Sequence, residues 1–143
     1  MTKKVMVLMG GFSAEREVSL QSGAGIAEAL RRKGYEVTTH DLSDTRQLLA
    51  ELGRSKPDVV FNALHGNWGE DGTVPALLDL LQIPYTHSGM QASCVGMNKY
   101  LCRLIAEKAG LKTAYGRKLT AREFITQGSP VARPFVVKPV SDG

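Results

Sequence analysis

The fold of this chain is decided by residues 5–20, which read VMVLMGGFSAEREVSL. The first five of these residues are apolar, as in a strand buried on both faces of a parallel sheet. Gly10 and Gly11 follow and allow a sharp turn away from the strand end. The helix start that comes next offers free N–H groups and a positive dipole end, which suit an anion, whereas Glu15 suits a cation. The pattern predicts a strand–turn–helix unit that could hold a zwitterion such as an amino acid.

Apolar runs and helical periodicity alternate from there to residue 86. The spacing predicts strands at 5–9, 35–40, 58–64 and 83–86, and helices at 19–33, 44–52 and 73–81. This β-α-β-α-β-α-β order predicts an α/β fold, a doubly wound parallel sheet with helices on both faces.

The character of the chain changes after residue 86. Residues 87–96 are rich in Gly, Ser and Ala, and we place a domain boundary near residue 95. Helices are predicted at 98–109 and 120–127, and strands at 113–119 and 134–139. We therefore expect an N-terminal parallel α/β domain at 1–95. We expect 96–143 to be the incomplete start of a second domain, because about 48 residues bury too little core to fold alone.

Composition bounds the class of protein. The chain has 143 residues, 43% of them hydrophobic and 22% charged, as in ordinary globular proteins. No apolar run approaches the ~20 residues that span a bilayer. Cys94 and Cys102 are too few and wrongly spaced for a disulfide framework or a metal motif. We expect reduced cysteines, a cytoplasmic location and no membrane partner.

Charge is distributed unevenly. Residues 1–95 carry nine Lys and Arg against eleven Asp and Glu, whereas residues 96–143 carry nine against three. The basic second segment is compatible with a polyphosphate ligand or with a solvated basic surface. Nucleic acid is not expected as a partner, because the basic residues are dispersed and have no RNA-binding aromatic motif among them.

Two glycine patterns fail as nucleotide fingerprints. Residues 23–28 begin like a dinucleotide motif, but Glu28 stands where Gly or Ala is needed and the segment lies inside a predicted helix. Residues 66–73 have one residue too many for a P-loop and no lysine.

The loop after the third predicted strand is a candidate site. His65 begins it, and Glu70 and Asp71 lie further along. Ligands of open parallel sheets bind outside the carboxyl ends of strands, so this loop and the one at Gly10 are expected on one edge. Alternatively, His65 only caps the loop, and the two acids only favour the N-terminus of the next helix.

Two lysines are candidates for contact with an anion. Lys99 begins a predicted helix, where its charge opposes the dipole unless an anion offsets it. Lys138 ends an apolar run, where phosphate oxygens could serve as partners. The alternative for each is an ordinary solvated lysine that extends its ammonium into water.

Five motifs occur in order along the chain. They are GGFSAEREVS at 10–19, ALHG with GEDG at 63–72, PYT with SG at 84–89, MNK at 97–99 and VKP at 137–139. Together they closely resemble the D-alanine–D-alanine ligases, which are ATP-grasp enzymes, over essentially all 143 residues. Asn98 stands where many members have Asp.

The resemblance implies a fold and an activity. The first domain would be the Rossmann-like, pre-ATP-grasp domain, followed by the first part of an ATP-grasp central domain. ATP, with Mg²⁺ or Mn²⁺, would phosphorylate the carboxylate of one D-alanine. The amine of a second D-alanine would then attack the acyl phosphate, giving D-alanyl-D-alanine for peptidoglycan synthesis. A homodimer through the N-terminal domain is also implied.

The resemblance also implies roles for particular residues. Glu15 would hold the ammonium group of the first D-alanine, and His65 and Ser13 would line the same pocket; Glu15 and His65 are the catalytic candidates. Lys99 and Lys138 would contact ATP phosphates. No metal ligand is expected in this chain; the metal ligands and the arginine at the oxyanion are expected beyond Gly143.

The last residues, 138–143, correspond to the start of the family's Lys-Pro-x-x-x-Gly-Ser loop. We therefore expect a polypeptide of these 143 residues alone to be an inactive fragment. Three alternatives remain: a related ligase that takes D-lactate or D-serine as second substrate, a non-catalytic small-molecule-binding or regulatory module, and a dimerisation element.

Overall fold

The computed structural model of the chain describes residues 2–141. Its elements within that range are β1 (Lys4–Met9), α1 (Arg16–Arg32), β2 (Glu36–Asp41), α2 (Thr45–Ser55), β3 (Val59–Asn62), α3 (Thr73–Leu80), α4 (Met90–Met97), α5 (Lys99–Lys108) and α6 (Ala121–Gln127).

The three strands form one parallel sheet in the order β2-β1-β3. In the register, Leu8 of β1 pairs with His40 of β2 and with Asn62 of β3. Because β1 pairs with both other strands, this most apolar strand lies in the centre of the sheet. The carboxyl ends of all three strands meet at one edge, where ligands of parallel sheets bind.

Helices cover both faces of this sheet. Met6 and Leu8 point to one face and belong to a buried cluster with leucines of α2 and α3. Val7 points to the other face, where it meets Ala27 of α1. Alternate residues of β1 thus serve two cores, as the pleat of a strand requires. The predicted α/β fold with a parallel sheet is confirmed.

Helix α1 packs on the sheet at very close range. A Cβ atom on Gly23 would lie 2.5 Å from Cβ of Met9, so only glycine fits the observed distance between helix and strand. Near the other end of this contact, the buried hydroxyl of Ser19 accepts a hydrogen bond from the Gly10 amide (2.9 Å) and donates one to the Ala63 carbonyl (2.7 Å). One side chain of α1 thereby joins the ends of two strands.

The helix boundaries differ slightly from those predicted. Helix α1 begins at Arg16 rather than at residue 19, so the charged residues of the motif lie in its first turn. Helix α4 was not predicted, because its small residues and Gly96 hide the periodicity. The capping box of α6 is present, with Thr120 and Glu123 bonded to each other's backbone N–H groups.

Three predicted strands are wrong in this structure. The segment 83–86 makes one isolated parallel bridge, Val60 with Tyr85, because Pro84 has no N–H to extend the ladder. Among the described residues, segments 113–119 and 134–139 form no strand. Both segments are largely exposed, and Pro134 and Pro139 reduce the donors available to the second.

The domain boundary near residue 95 stays a prediction. Helix α4 spans that position and contacts both α3 and α5. Helices α5 and α6 bury none of their described residues, in contrast to α1, α2 and α3. No helix within residues 2–141 is long and apolar enough to cross a membrane.

The two glycines of α1 provide a matched test of this packing. Gly23→Ala should lower the free energy of unfolding by about 1–3 kcal/mol, because its methyl group meets Met9 and α1 must shift. Gly25→Ala meets nothing within 4 Å and should stabilise the helix by about 0.5–1 kcal/mol. Urea unfolding of both variants measures the difference. Equal stability of the two would contradict the close packing of α1 on β1.

Ser19 provides a second test. Ser19→Ala leaves the Gly10 amide and the Ala63 carbonyl without this partner and should cost about 1–3 kcal/mol. Ser22→Ala, on the same helix but only half-buried, should change stability by less than about 0.5 kcal/mol. A Ser19→Ala protein as stable as the Ser22→Ala control would exclude the bridging role.

Candidate functional site

The candidate site lies where β1 and β3 end. Gly10 and Gly11 turn the chain away from β1 with φ angles of 80° and 88°, which glycine adopts without strain. A side chain on Gly10 would also collide with Asp41 and Arg16. The turn therefore requires glycine both for its backbone conformation and for the approach of two side chains.

Ser13 joins the two loops of the site. Its hydroxyl donates a hydrogen bond to the His65 carbonyl (2.7 Å) and accepts one from the Glu15 amide (3.2 Å). The single hydroxyl proton is thus committed to the second loop. A role of Ser13 in substrate binding stays a prediction, and its bonds in this structure hold Glu15 and His65 in place.

Glu15 lies directly before α1 and against the second loop. A Cβ on Gly66 would be 3.3 Å from Oε2 of Glu15 and 3.0 Å from Cβ of Ser13. Among the described residues, no lysine, arginine or histidine nitrogen lies within 4.0 Å of the Glu15 carboxylate. Glu15 therefore lies against Gly66, the residue after His65, and its carboxylate is exposed and available to a cation.

His65 has an unsatisfied nitrogen. Its Nε2 atom is buried and has no hydrogen-bond partner among the described residues, a state shared with Nε2 of His40. Buried polar atoms are nearly always bonded, so such an atom indicates a missing partner. His65 follows β3 at the same sheet edge as the loop of Glu15, and water or a bound polar molecule could supply that partner.

The loop after His65 is held by carboxylates and an amide. Glu70 accepts a hydrogen bond from the Gly66 amide (2.6 Å), and Asp71 accepts from the amides of Trp68 and Thr73 (both 2.9 Å). Burial raises the pKa of Asp71, but these backbone bonds outweigh it, and the pKa is lowered overall. Asp71 thus serves the N-terminus of α3, as the alternative for the two acids expected, whereas Glu70 orders the loop at Gly66.

Asn62, the last residue of β3, also holds this loop, and sequence analysis missed it. Its side chain donates to the Gly69 carbonyl (2.9 Å) and accepts from the Leu64 amide (3.1 Å). Its place in an apolar strand was the available signal, because a buried amide there must find partners.

Arg16 and Asp41 form a bidentate ion pair beside the glycine turn. Two of the guanidinium nitrogens lie 2.6 Å from the two carboxylate oxygens. The hydrogen bonds from Arg16 hold the pKa of Asp41 below its usual value, and the same bonds raise the pKa of Arg16. Sequence analysis missed Asp41, although it directly follows the predicted strand 35–40, because nothing in the sequence indicates that its partner is Arg16.

An aromatic contact between Phe12 and Trp68 also joins the two loops. The rings of Phe12 and Trp68 are 5.3 Å apart between centroids and inclined at 59°, a favourable tilted arrangement. Phe12 is half exposed, whereas Trp68 packs against the buried cluster of α2 and α3. The contact therefore attaches the glycine turn to the core through Trp68.

The segments that carry the two candidate lysines are far apart in the sequence but lie next to each other in the fold. The Lys99 amide donates to the Val140 carbonyl (2.9 Å), which brings the stretch after Lys138 to the start of α5. The Lys138 side chain is exposed. This backbone contact supports a common location for the two lysines, but their contact with phosphate stays a prediction.

Basic residues also surround Tyr100 on α5. The Arg103 guanidinium carbon and the Lys118 ammonium lie 5.9 and 5.7 Å from the ring centroid. With Arg117 they line an open cleft of about 490 Å³, and Arg103 also donates to the Gly116 carbonyl. Part of the basic character of residues 96–143 is thus gathered on one surface.

Comparison with known proteins agrees with this arrangement. The family model "D-ala D-ala ligase N-terminus" matches residues 4–57 and 43–88. A D-alanine–D-alanine ligase of Parvibaculum lavamentivorans is 51% identical over 141 residues, covering 99% of this chain and 45% of that protein. One of Paramagnetospirillum magneticum is 49% identical over 144 residues, covering 100% of this chain and 47% of that protein.

Solved structures give the same result. A D-alanine–D-alanine ligase of Bacillus anthracis complexed with ATP superposes with a TM-score of 0.79 at 32% identity, over 99% of this chain and 48% of that one. The chain spans about half the length of the curated relatives it matches. With strands, glycine turn and paired loops arranged as described, the chain belongs to the D-alanine–D-alanine ligase family and carries its N-terminal part.

Proposed function

We propose that this chain supplies the first-substrate side of a D-alanine–D-alanine ligase. The observation that carries the proposal is a pair of loops joined by the hydrogen bond from Ser13 to the His65 carbonyl. One loop carries an exposed carboxylate without an ion-pair partner among the described residues, and the other carries an imidazole nitrogen without a hydrogen-bond partner among them. Glu15 and His65 present these two groups on adjoining loops at the sheet edge. A carboxylate binds an ammonium group, and Nε2 offers a further hydrogen bond to a polar substrate.

The proposed reaction has two steps. A carboxylate oxygen of the first D-alanine attacks the γ-phosphorus of ATP; the bond to the β-phosphate oxygen breaks, and ADP leaves. The amine of the second D-alanine attacks the acyl phosphate, loses a proton, and inorganic phosphate leaves from the tetrahedral intermediate. Glu15 would orient the first substrate in both steps, which reduces the entropic cost of bringing the reactants together.

ATP phosphates are proposed to contact Lys99 and Lys138. The support is the backbone contact between Lys99 and Val140, together with the net positive charge of residues 96–143. Stabilising transferred phosphoryl groups is a task that lysine and metal ions share. Within residues 2–141, no three His, Cys, Asp or Glu side chains are grouped so as to hold a metal ion. Mg²⁺ or Mn²⁺ with ATP stays an implication of the family resemblance.

The remaining parts of the proposal rest on the resemblance and on composition. They are a place in peptidoglycan synthesis, a cytoplasmic location, a homodimer through the N-terminal domain, and the lack of nucleic-acid or membrane partners. A ligase that uses D-lactate or D-serine as second substrate stays open, because the Glu15 pocket concerns the first substrate. Activity of the complete protein with each second substrate distinguishes these cases.

Glu15→Gln tests the role of the carboxylate. In the complete protein, this variant should raise KM for the first D-alanine about 10- to 100-fold, because a neutral amide replaces a charge-assisted bond to the ammonium. KM for ATP should stay within about twofold. Steady-state ADP release at varied D-alanine and ATP measures both. Glu28→Gln, on the exposed face of α1, is the matched control. An unchanged KM for the first D-alanine in Glu15→Gln would contradict the assignment.

The 143-residue chain alone tests whether these residues are sufficient for the ligase activity. We expect no D-alanyl-D-alanine synthesis from it, because within residues 2–141 no cluster of His, Cys, Asp or Glu could hold the metal ion that stabilises phosphoryl transfer together with lysines. Chromatographic detection of the dipeptide after incubation with D-alanine, ATP and Mg²⁺ measures this. Synthesis by the purified chain would show that these residues carry the whole activity.

A further inference from the structure

Gly66 is the point at which the second loop meets the Glu15 carboxylate. It is buried, and its φ angle of 69° lies in the left-handed region that glycine adopts without strain. A Cβ atom there would lie 3.0 Å from Cβ of Ser13 and 3.3 Å from Oε2 of Glu15. Both distances would be tight, because non-bonded heavy atoms attract best at about 3.5–4.0 Å. The observed position of Glu15 against the second loop therefore depends on the missing side chain of residue 66.

The backbone of Gly66 is held on both sides by Glu70. The Glu70 carboxylate accepts a hydrogen bond from the Gly66 amide (2.6 Å), and the Glu70 amide donates one to the Gly66 carbonyl (2.9 Å). A hydrogen bond from an amide to a carboxylate is of the stronger, charge-assisted kind. Moving Gly66 away from Glu15 would stretch these bonds. A side chain at residue 66 would therefore displace its neighbours rather than its own backbone.

Both neighbours transmit such a displacement to the Glu15 carboxylate. The carboxylate is exposed and stands at the end of a flexible side chain, so it moves directly. Ser13 accepts a hydrogen bond from the Glu15 amide (3.2 Å), so a shift of Ser13 is passed on to Glu15 as well.

We propose that Gly66 is a positioning residue, whose absent side chain and fixed backbone set the place at which the Glu15 carboxylate meets the ammonium group of the first substrate. The inference rests on the proposed function. A purely structural role of Gly66 would consist in its positive φ angle alone. The proposal adds a contact with Glu15, through which residue 66 acts on substrate binding.

The first experiment compares two glycines of similar backbone conformation in the complete protein. Gly66→Ala should raise KM for the first D-alanine about three- to tenfold, because the displacement is smaller than the 1 Å that can cost about 100-fold. KM for ATP should stay within about twofold. Gly34→Ala is the matched control, since Gly34 has a φ angle of 85° and nothing within 4 Å of a Cβ atom. It should lower the thermal midpoint and leave both KM values within about twofold. An equal rise of KM for D-alanine in Gly34→Ala would overturn the inference.

The second experiment is a double-substitution cycle with Glu15→Ala. In that background there is no carboxylate to displace, so adding Gly66→Ala should change KM for D-alanine by less than about twofold. A general distortion of the loop, passed from Ser13 to His65, predicts the same rise with and without the carboxylate. A rise that persists in the Glu15→Ala background therefore overturns the inference.

A further variant covers the case in which Gly66→Ala gives no folded protein. Gly66→Asn places a Cβ atom at the same point and tolerates a positive φ angle better, so the same comparisons apply to it. The inference fails alone if Glu15→Ala raises KM for the first D-alanine and a folded Gly66 variant does not. If Glu15→Ala leaves that KM unchanged, the proposed function itself fails.

Discussion

The buried hydroxyl of Ser19 is the interaction on which the site depends. It bonds the end of β1 at Gly10 and the end of β3 at Ala63, so that two loops far apart in the sequence begin at a fixed separation. Ser13 then repeats the connection one step further out, through the His65 carbonyl. These hydrogen bonds fix the starts of the two loops that carry Glu15 and His65. Fixing a binding site before its ligand arrives is what preorganisation requires.

Electrostatics divides the carboxylates of this edge into two groups. Asp41, Glu70 and Asp71 are each engaged by a guanidinium or by backbone amides, and they hold the loops. Among the described residues no guanidinium or backbone amide engages the Glu15 carboxylate, which lies near Gly66. Of these four carboxylates, Glu15 is therefore the one that stays available to a ligand.

The sequence was sufficient for the parallel fold and for placing the loops of Glu15 and His65 at one edge, because apolar periodicity and the carboxyl-end rule act locally. It was not sufficient for Asp41, whose partner lies 25 residues away and is chosen by the register of β2 on β1. It also failed for residues 113–119 and 134–139, where strand-like composition met no partner strand among the described residues. Strand formation depends on pairing as much as on propensity.

The central claim is that Glu15 and His65 together bind the first amino-acid substrate. The most direct measurement is a titration of the complete protein with D-alanine, followed by the ¹⁵N resonances of the imidazole rings. Of the three histidines within these 143 residues, His40 and His87 serve as internal references. Binding at the proposed site predicts a saturable change at Nε2 of His65, with His40 and His87 unchanged. Saturable D-alanine binding that leaves the His65 resonances unmoved would contradict it.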